Sequence, residues 1–221
     1  MMIKSSAPVE QTLTAKGRRT REHIVTVAAE LIHQHGEAAT SIRDVKTAAG
    51  VSGSQMTHYF PTRQSLMRAV VARRAEDISA LLREPILGDL DSFERLRAWA
   101  ALNVKKQRQL ACRGGCAFGT LVGQMAEANA EIRAEFAAGY DGWTATLAAG
   151  IAKCDRGELH RDADPEALAV GLVAAHQGGV AITQATRDVR PLESALESMI
   201  RYIETFTPGV ARTSPIRSSP R

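Results

Sequence analysis

The chain has 221 residues, 44% of them hydrophobic but only 5% aromatic, and a formal net charge of +4. Three cysteines (Cys112, Cys116 and Cys154) are an odd, low count that argues against a secreted disulfide scaffold. The N-terminus lacks the apolar core of a signal peptide, and no apolar run approaches the ~18 residues of a bilayer span, so the expectation is a cytoplasmic protein without a membrane partner. The longest apolar run, Gly171 to Ile182, is interrupted by His176 and Gln177.

Charge is unevenly placed. Residues 1–74 hold 11 Lys/Arg against 5 Asp/Glu, whereas residues 75–206 hold 14 against 19. A basic first third on a mildly acidic body points to a polyanion as partner of the N-terminal part. Abundant Ala, Leu, Arg and Glu, with few β-branched runs, point to an all-α chain.

Residues 1–15 are polar and mixed, and read as a flexible arm. From Arg18 to His35 the apolar positions Ile24, Val27, Ala28, Leu31 and Ile32 form the stripe of an amphipathic helix, stopped by Gly36. Thr40 or Ser41 can cap a short second helix with Ile42, Val45, Ala48 and Ala49 on its inner face. Gly50 ends it, and Ser52 can cap a third helix running to about Tyr59. Pro61 breaks that helix, and Thr62 can cap a long fourth one reaching about Arg83. Longer helices follow over 90–110, 118–125, 130–155, 165–187 and 192–206, about nine helices in all. The last stretch, 207–221, is rich in Pro, Ser and Arg and reads as a disordered tail.

The segment "GVSGSQMTHYF" (Gly50–Phe60) decides the function class. Its front half approximates the Gly-x-Ser-x-Gly of a nucleophile elbow, but that turn needs a preceding strand, and here a helix precedes it. A phosphate loop would need Gly-Lys-Ser/Thr after a strand. No nucleophile, base and orienter stand at catalytic spacing, and no His, Cys and carboxylate cluster completes a metal site. The chain is therefore read as a non-enzyme with no metal or cofactor. A helix–turn–helix fits instead. Gly50 supplies the positive φ of a tight turn, Ser52 the cap and Met56 the inward anchor. Gly53, Ser54, Gln55, Thr57 and His58 then form a small, polar outer face that can enter a major groove. Gln55 can pair with an adenine edge, and Thr57 can offer a methyl or a hydroxyl.

The stretch "TSIRDVKTAAGVSGSQMTHYFPTRQSLMRAVV" resembles the DNA-binding domain of TetR/AcrR-type bacterial transcriptional regulators. The features that carry the resemblance are Thr40, Ile42-Arg43-Asp44-Val45, Ala48-Ala49-Gly50-Val51-Ser52, His58-Tyr59-Phe60-Pro61 and Leu66. Lys46 departs from the small residue usual there, and Thr57 from a frequent Tyr. The resemblance implies an all-α fold in two parts. Residues 16–62 would form a three-helix helix–turn–helix domain, and residues 63–206 a helical-bundle domain for effector binding and dimerisation. Ser52, Ser54, Gln55, Thr57 and His58 would belong to the reading helix, with Tyr59 on phosphate. Thr40, Arg43 and Arg63 would hold phosphates, and Lys16, Arg18, Arg19 and Arg21 would follow the backbone or minor groove.

The implied partners are double-stranded DNA with a palindromic operator, a small-molecule effector and a second copy of the chain. Small residues along 165–187 and an apolar stripe (Leu192, Leu196, Met199, Ile200, Ile203) suit a four-helix dimer interface. Trp99, Asn103, Phe118, Met125, Trp143, His176 and Gln177 are the candidate effector contacts. An alternative regulator would sense oxidants or electrophiles through Cys112 and Cys116, where Arg113 could lower a thiol pKa.

Overall fold

The computed structural model describes residues 13–127, 129–154, 159 and 162–207. Most of the arm (1–12) and nearly all of the tail (208–221) expected from sequence lie outside the described residues. The described residues hold nine α-helices and no strand: α1 (Ala15–His35), α2 (Ile42–Ala48), α3 (Gly53–Tyr59), α4 (Arg63–Leu82), α5 (Phe93–Gln109), α6 (Ala117–Met125), α7 (Ala130–Ile151), α8 (Pro165–Thr186) and α9 (Arg190–Glu204). A 3-10 turn at Pro85–Leu87 stands between α4 and α5.

The helices sort into two compact units. One takes residues 1–77 and 117–139, the other 78–116 and 140–221, so α4 and α7 are shared between them. The first unit buries Ile24, Val25, Ala28, Ala29 and Ile32 of α1 together with Val45, Met56, Phe60, Leu66 and Val70. Val25 and Ala29 replace Val27 and Leu31, which are only half-buried, and Ala48 is exposed while Ala49 is buried. The buried stripe of α1 is thus rotated from the one expected, and small alanines sit on either face with little penalty.

The second unit packs one continuous apolar core from Leu87, Leu90, Leu96, Trp99, Trp143, Leu147, Ile151, Leu168, Leu172, Leu192, Leu196 and Ile200, among others. α8 has the length and composition of a membrane span, with a mean hydropathy of 1.2, which sequence reading by apolar runs did not anticipate. One of its faces lies in this core through Leu168, Ala169, Leu172, Val173, His176, Gly179, Val180 and Thr183. That buried face accounts for part of its hydropathy. Gly150 of α7 packs so close to the 89–90 backbone that a Cβ there would lie 2.7 Å from the Leu90 carbonyl oxygen.

Candidate functional site

The α2–turn–α3 segment is fixed by residues only three positions apart. Ser41 caps α2 and forms a reciprocal box with Asp44: its hydroxyl accepts from the Asp44 N–H, and the Asp44 carboxylate accepts from the Ser41 N–H at 2.9 Å. The Ser41 hydroxyl, which also donates to the carboxylate at 2.6 Å, and then the Ser41 N–H hold the Asp44 carboxyl below the usual carboxylate range. Ser52 and Gln55 repeat the arrangement on α3, with the Gln55 Oε1 accepting from the Ser52 N–H at 2.9 Å. Thr62 and Ser65 do the same at the start of α4. Each box satisfies N–H groups that a helix start leaves without partners. Gly50 has φ 63°, and a Cβ added there would meet nothing within 4 Å, so the turn conformation, not space, calls for glycine.

Met56 is the only buried residue of α3. Ser52, Gly53, Ser54, Gln55, Thr57 and His58 are exposed, and Tyr59 is half-buried with its ring edge-on to His58 at 4.9 Å. Lys16, Arg18, Arg19 and Arg43 are exposed as well. Lys16 and Arg19 share a shallow groove with Thr20, His23, Gly50, Val51 and Gln55. His23 Nε2 donates to the Ala49 carbonyl at 3.2 Å, tying α1 to the turn. Arg21 stacks over the Phe60 ring at 5.2 Å.

Two of the expected phosphate contacts are used inside the protein. Thr40 is 3% exposed, and its hydroxyl donates to the Gly36 carbonyl at 2.8 Å. Arg63 donates to the Glu37 carboxylate (2.6 Å), the Glu37 carbonyl (2.8 Å) and the Thr40 carbonyl (2.7 Å). It clamps the α1–α2 link, which Gln124 of α6 also holds by accepting from the Glu37 N–H at 3.0 Å. Sequence reading missed Glu37 and Gln124 because their contacts are 26 and 87 residues long.

The candidate effector residues divide. Phe118 and Met125 lie buried on α6 in the first unit, with Phe118 edge-on to Phe136 at 5.4 Å. Trp99, Asn103, Trp143 and His176 come together in the second unit. The His176 ring lies 5.7 Å from Trp99 and 5.1 Å from Trp143. Its Nε2 is 3.0 Å from the Asn103 Oδ1. Burial, and secondarily the charge of Lys106, pushes the His176 pKa down to about 4. Tyr140 stacks parallel to Trp143, and burial, then the nearby Cys116, pushes its phenol up to about 12. Gln177 is half-buried and donates to the Cys116 sulfur at 3.5 Å. Gln107, one turn beyond Asn103 and absent from the sequence-based candidates, is buried too, its amide donating to the Gly115 carbonyl at 3.2 Å.

Cys112, Cys116 and Cys154 form no disulfide among the described residues. Cys112 is buried at φ 56°, its carbonyl accepting from Arg187 at 2.7 Å. A reactive thiol is partly exposed beside positive charge, so the burial of Cys112 does not favour the redox alternative.

A short, capped, polar helix presented after a tight turn in an all-α chain is the helix–turn–helix arrangement of DNA-binding transcriptional regulators. Two family models match it: bacterial regulatory proteins of the tetR family over residues 24–70, and the tetracyclin repressor-like C-terminal domain over residues 92–199. The chain belongs to the TetR family. It is 26% identical over 192 residues to the transcriptional regulator AcuR of Cereibacter sphaeroides, covering 84% of this chain and 86% of AcuR. It is 31% identical over 91 residues to the HTH-type transcriptional repressor KstR2 of Rhodococcus jostii, a match spanning 41% of this chain and only 44% of KstR2. The fold is that of the regulatory protein TetR from Rhodobacter sphaeroides, with TM-score 0.71 and 22% identity over 83% of this chain and 98% of that one.

Proposed function

We propose that the protein is an effector-responsive repressor that binds a palindromic operator as a homodimer. The observation that carries this reading is the outer face of α3, where Ser54, Gln55, Thr57 and His58 are exposed on a helix whose start is fixed by the Ser52–Gln55 box. Residues 16–62 make the DNA contact. Gln55 and Thr57 read bases, Ser54 and His58 flank them, and Tyr59, Arg43, Lys16, Arg18 and Arg19 meet the phosphate backbone. Thr40 and Arg63 support them by shaping the α1–α2 link.

Residues 63–206 hold the effector and the dimer face. In support, α8 turns a row of small and apolar side chains to solvent: Ala167, Val170, Ala174, Gly178, Ala181 and Ile182. Val170 and Ile182 are more than half exposed, as is Tyr202 of α9. A second copy would bury this row, because small residues let helices approach closely. The effector must favour a conformation with lower operator affinity.

A fluorescence-anisotropy titration on the DNA upstream of its own gene tests the reader. Gln55→Ala with Thr57→Ala is expected to weaken binding by about 10- to 100-fold. Wild-type affinity in that double variant rejects the assignment. Sedimentation of Gly178→Arg, expected to be monomeric, tests the dimer face.

A further inference from the structure

Among the described residues, three buried side-chain atoms lack a hydrogen-bond partner within the protein: Gln107 Oε1, Trp143 Nε1 and His176 Nδ1. All three belong to the second unit, on α5, α7 and α8, and their residues are only 3–4% exposed. Such groups are rare in native proteins and call for an explanation, since leaving one unpaired is costly. Trp143 and His176 are in ring contact at 5.1 Å, and Gln107 stands one turn along α5 from Asn103, the partner of His176.

Their hydrogen-bonding roles are set by their neighbours. Asn103 Nδ2 donates to the Trp99 carbonyl at 2.9 Å, so Asn103 turns its own carbonyl oxygen to His176. A carbonyl only accepts. His176 therefore carries its hydrogen on Nε2 and presents a bare lone pair at Nδ1. Gln107 spends its amide N–H on Gly115 and presents a carbonyl oxygen. The Trp143 indole can only donate. The three residues thus offer two acceptors and one donor, with the His176 ring lying against Trp99 and Trp143. The cluster carries no formal charge near neutral pH, because His176 is neutral there. Lys106, whose charge reaches His176, is itself exposed.

We propose that this α5–α7–α8 cluster binds the uncharged, hydrogen-donating head of a small effector, a primary amide or a hydroxyl on an apolar body, and discriminates against carboxylates. The proposal rests on the reading of the second unit as effector-binding. A primary amide is the full complement: its carbonyl accepts from Trp143, and its two N–H groups meet His176 Nδ1 and Gln107 Oε1. A hydroxyl accepts from Trp143 and donates to one of the two acceptors. A carboxylate has no hydrogen to give and would set its charge against two lone pairs in a desolvated site.

The chain has two tryptophans, Trp99 and Trp143, and both are ring neighbours of His176. Intrinsic fluorescence therefore reports on this cluster. Titration with benzamide, benzyl alcohol and benzoate is expected to give saturable changes with the two neutral probes and at least about tenfold weaker binding of benzoate. Trp143→Phe is expected to weaken both neutral probes about tenfold, with Trp99 still reporting. Gln107→Leu is expected to weaken benzamide more than benzyl alcohol. Benzoate binding as tightly as benzamide, or no saturable change with either neutral probe, overturns the proposal. Anisotropy on the upstream DNA with the same probes keeps the two readings apart. Neutral probes that bind without changing DNA affinity uphold the site and reject the effector reading. A molecule that releases DNA while neither neutral probe reaches the tryptophans rejects the site and leaves the effector reading in place.

Discussion

The two units handle polar groups in opposite ways. In the first, the starts of α2, α3 and α4 are organised by pairs three residues apart: Ser41 with Asp44, Ser52 with Gln55, Thr62 with Ser65. Each pair satisfies itself and sits in solvent. In the second, the polar cluster pairs Asn103 with His176 across 73 residues, lies in the core and leaves three atoms without a protein partner. A surface that must fit DNA of fixed geometry gains from local rigidity. An interior that accepts a small molecule can hold hydrogen-bonding capacity that the protein itself does not use.

The largest expected effect tests the interior. His176 stays neutral in the folded chain, with a pKa of about 4 against 6.5 for a free histidine. The unfolded chain therefore binds the additional proton between those values. The stability contributed by keeping His176 neutral is present above about pH 6.5 and is lost as pH falls towards 4, by about 3 kcal/mol. Urea unfolding of wild type and His176→Gln at pH 7 and pH 4.5 should show a smaller loss in the variant. Equal losses would remove the titration of His176 from the contrast between the units.

Arg63 sharpens the comparison from the other side, because it is the long-range element of the first unit. Arg63→Ala is expected to cost about 2 kcal/mol, since the hydrogen bonds to Glu37 and Thr40 are lost but the side chain is half-exposed. Operator affinity should fall as the α1–α2 link loosens, while the dependence of affinity on salt stays at its wild-type slope. A slope reduced by about one charge would instead reveal a direct phosphate contact by Arg63.

Cap removal should affect both units alike. Ser52→Ala at α3 and Asp164→Ala at α8, whose carboxylate accepts from the Glu166 and Ala167 N–H groups, are each expected to cost about 1 kcal/mol by thermal unfolding. Only Ser52→Ala should weaken DNA binding beyond its effect on stability, because it takes the acceptor from the Gln55 N–H at the start of the α3 helix.

The same contrast explains what was legible in the sequence. Turn glycine, caps and the inward Met56 are local signals with a fixed spacing, so α2, α3 and the exposed face of α3 could be placed from residues alone. Helix bounds followed from periodicity, to within a few residues. The clamp at Arg63 was not legible, since an arginine after a turn reads equally well as a phosphate contact. Asn103 was singled out, but Gln107 was not. A polar residue on an apolar face reads as solvated, and only its spacing with Trp99 and Asn103, four residues apart each time, marks it as inward. The left-handed Ala111 and Cys112 also carry no local signal, and the Cys112 carbonyl is held by the distant Arg187. Phe118 and Met125 share with Trp99 the large inward-leaning side chains that make effector candidates, yet they are buried in the other unit.

The smallest expected effects come from two glycines where an added Cβ would meet nothing within 4 Å: Gly53 at the start of α3 and Gly142 in α7. Alanine at either should stabilise by about 0.5 kcal/mol, through a less mobile unfolded chain and a better helix former. Function should separate them. The methyl at residue 53 projects from the reading helix and should weaken operator binding, whereas Gly142→Ala should leave it unchanged. Gly150→Ala supplies the control within the same helix as Gly142, because its methyl would meet the Leu90 and Asp89 carbonyl oxygens at 2.7 and 2.8 Å and should destabilise. If Gly53→Ala binds the operator like wild type, then α3 does not lie as deep in the groove as its small, polar face suggests, and base contact rests on the longer Gln55 and His58 side chains.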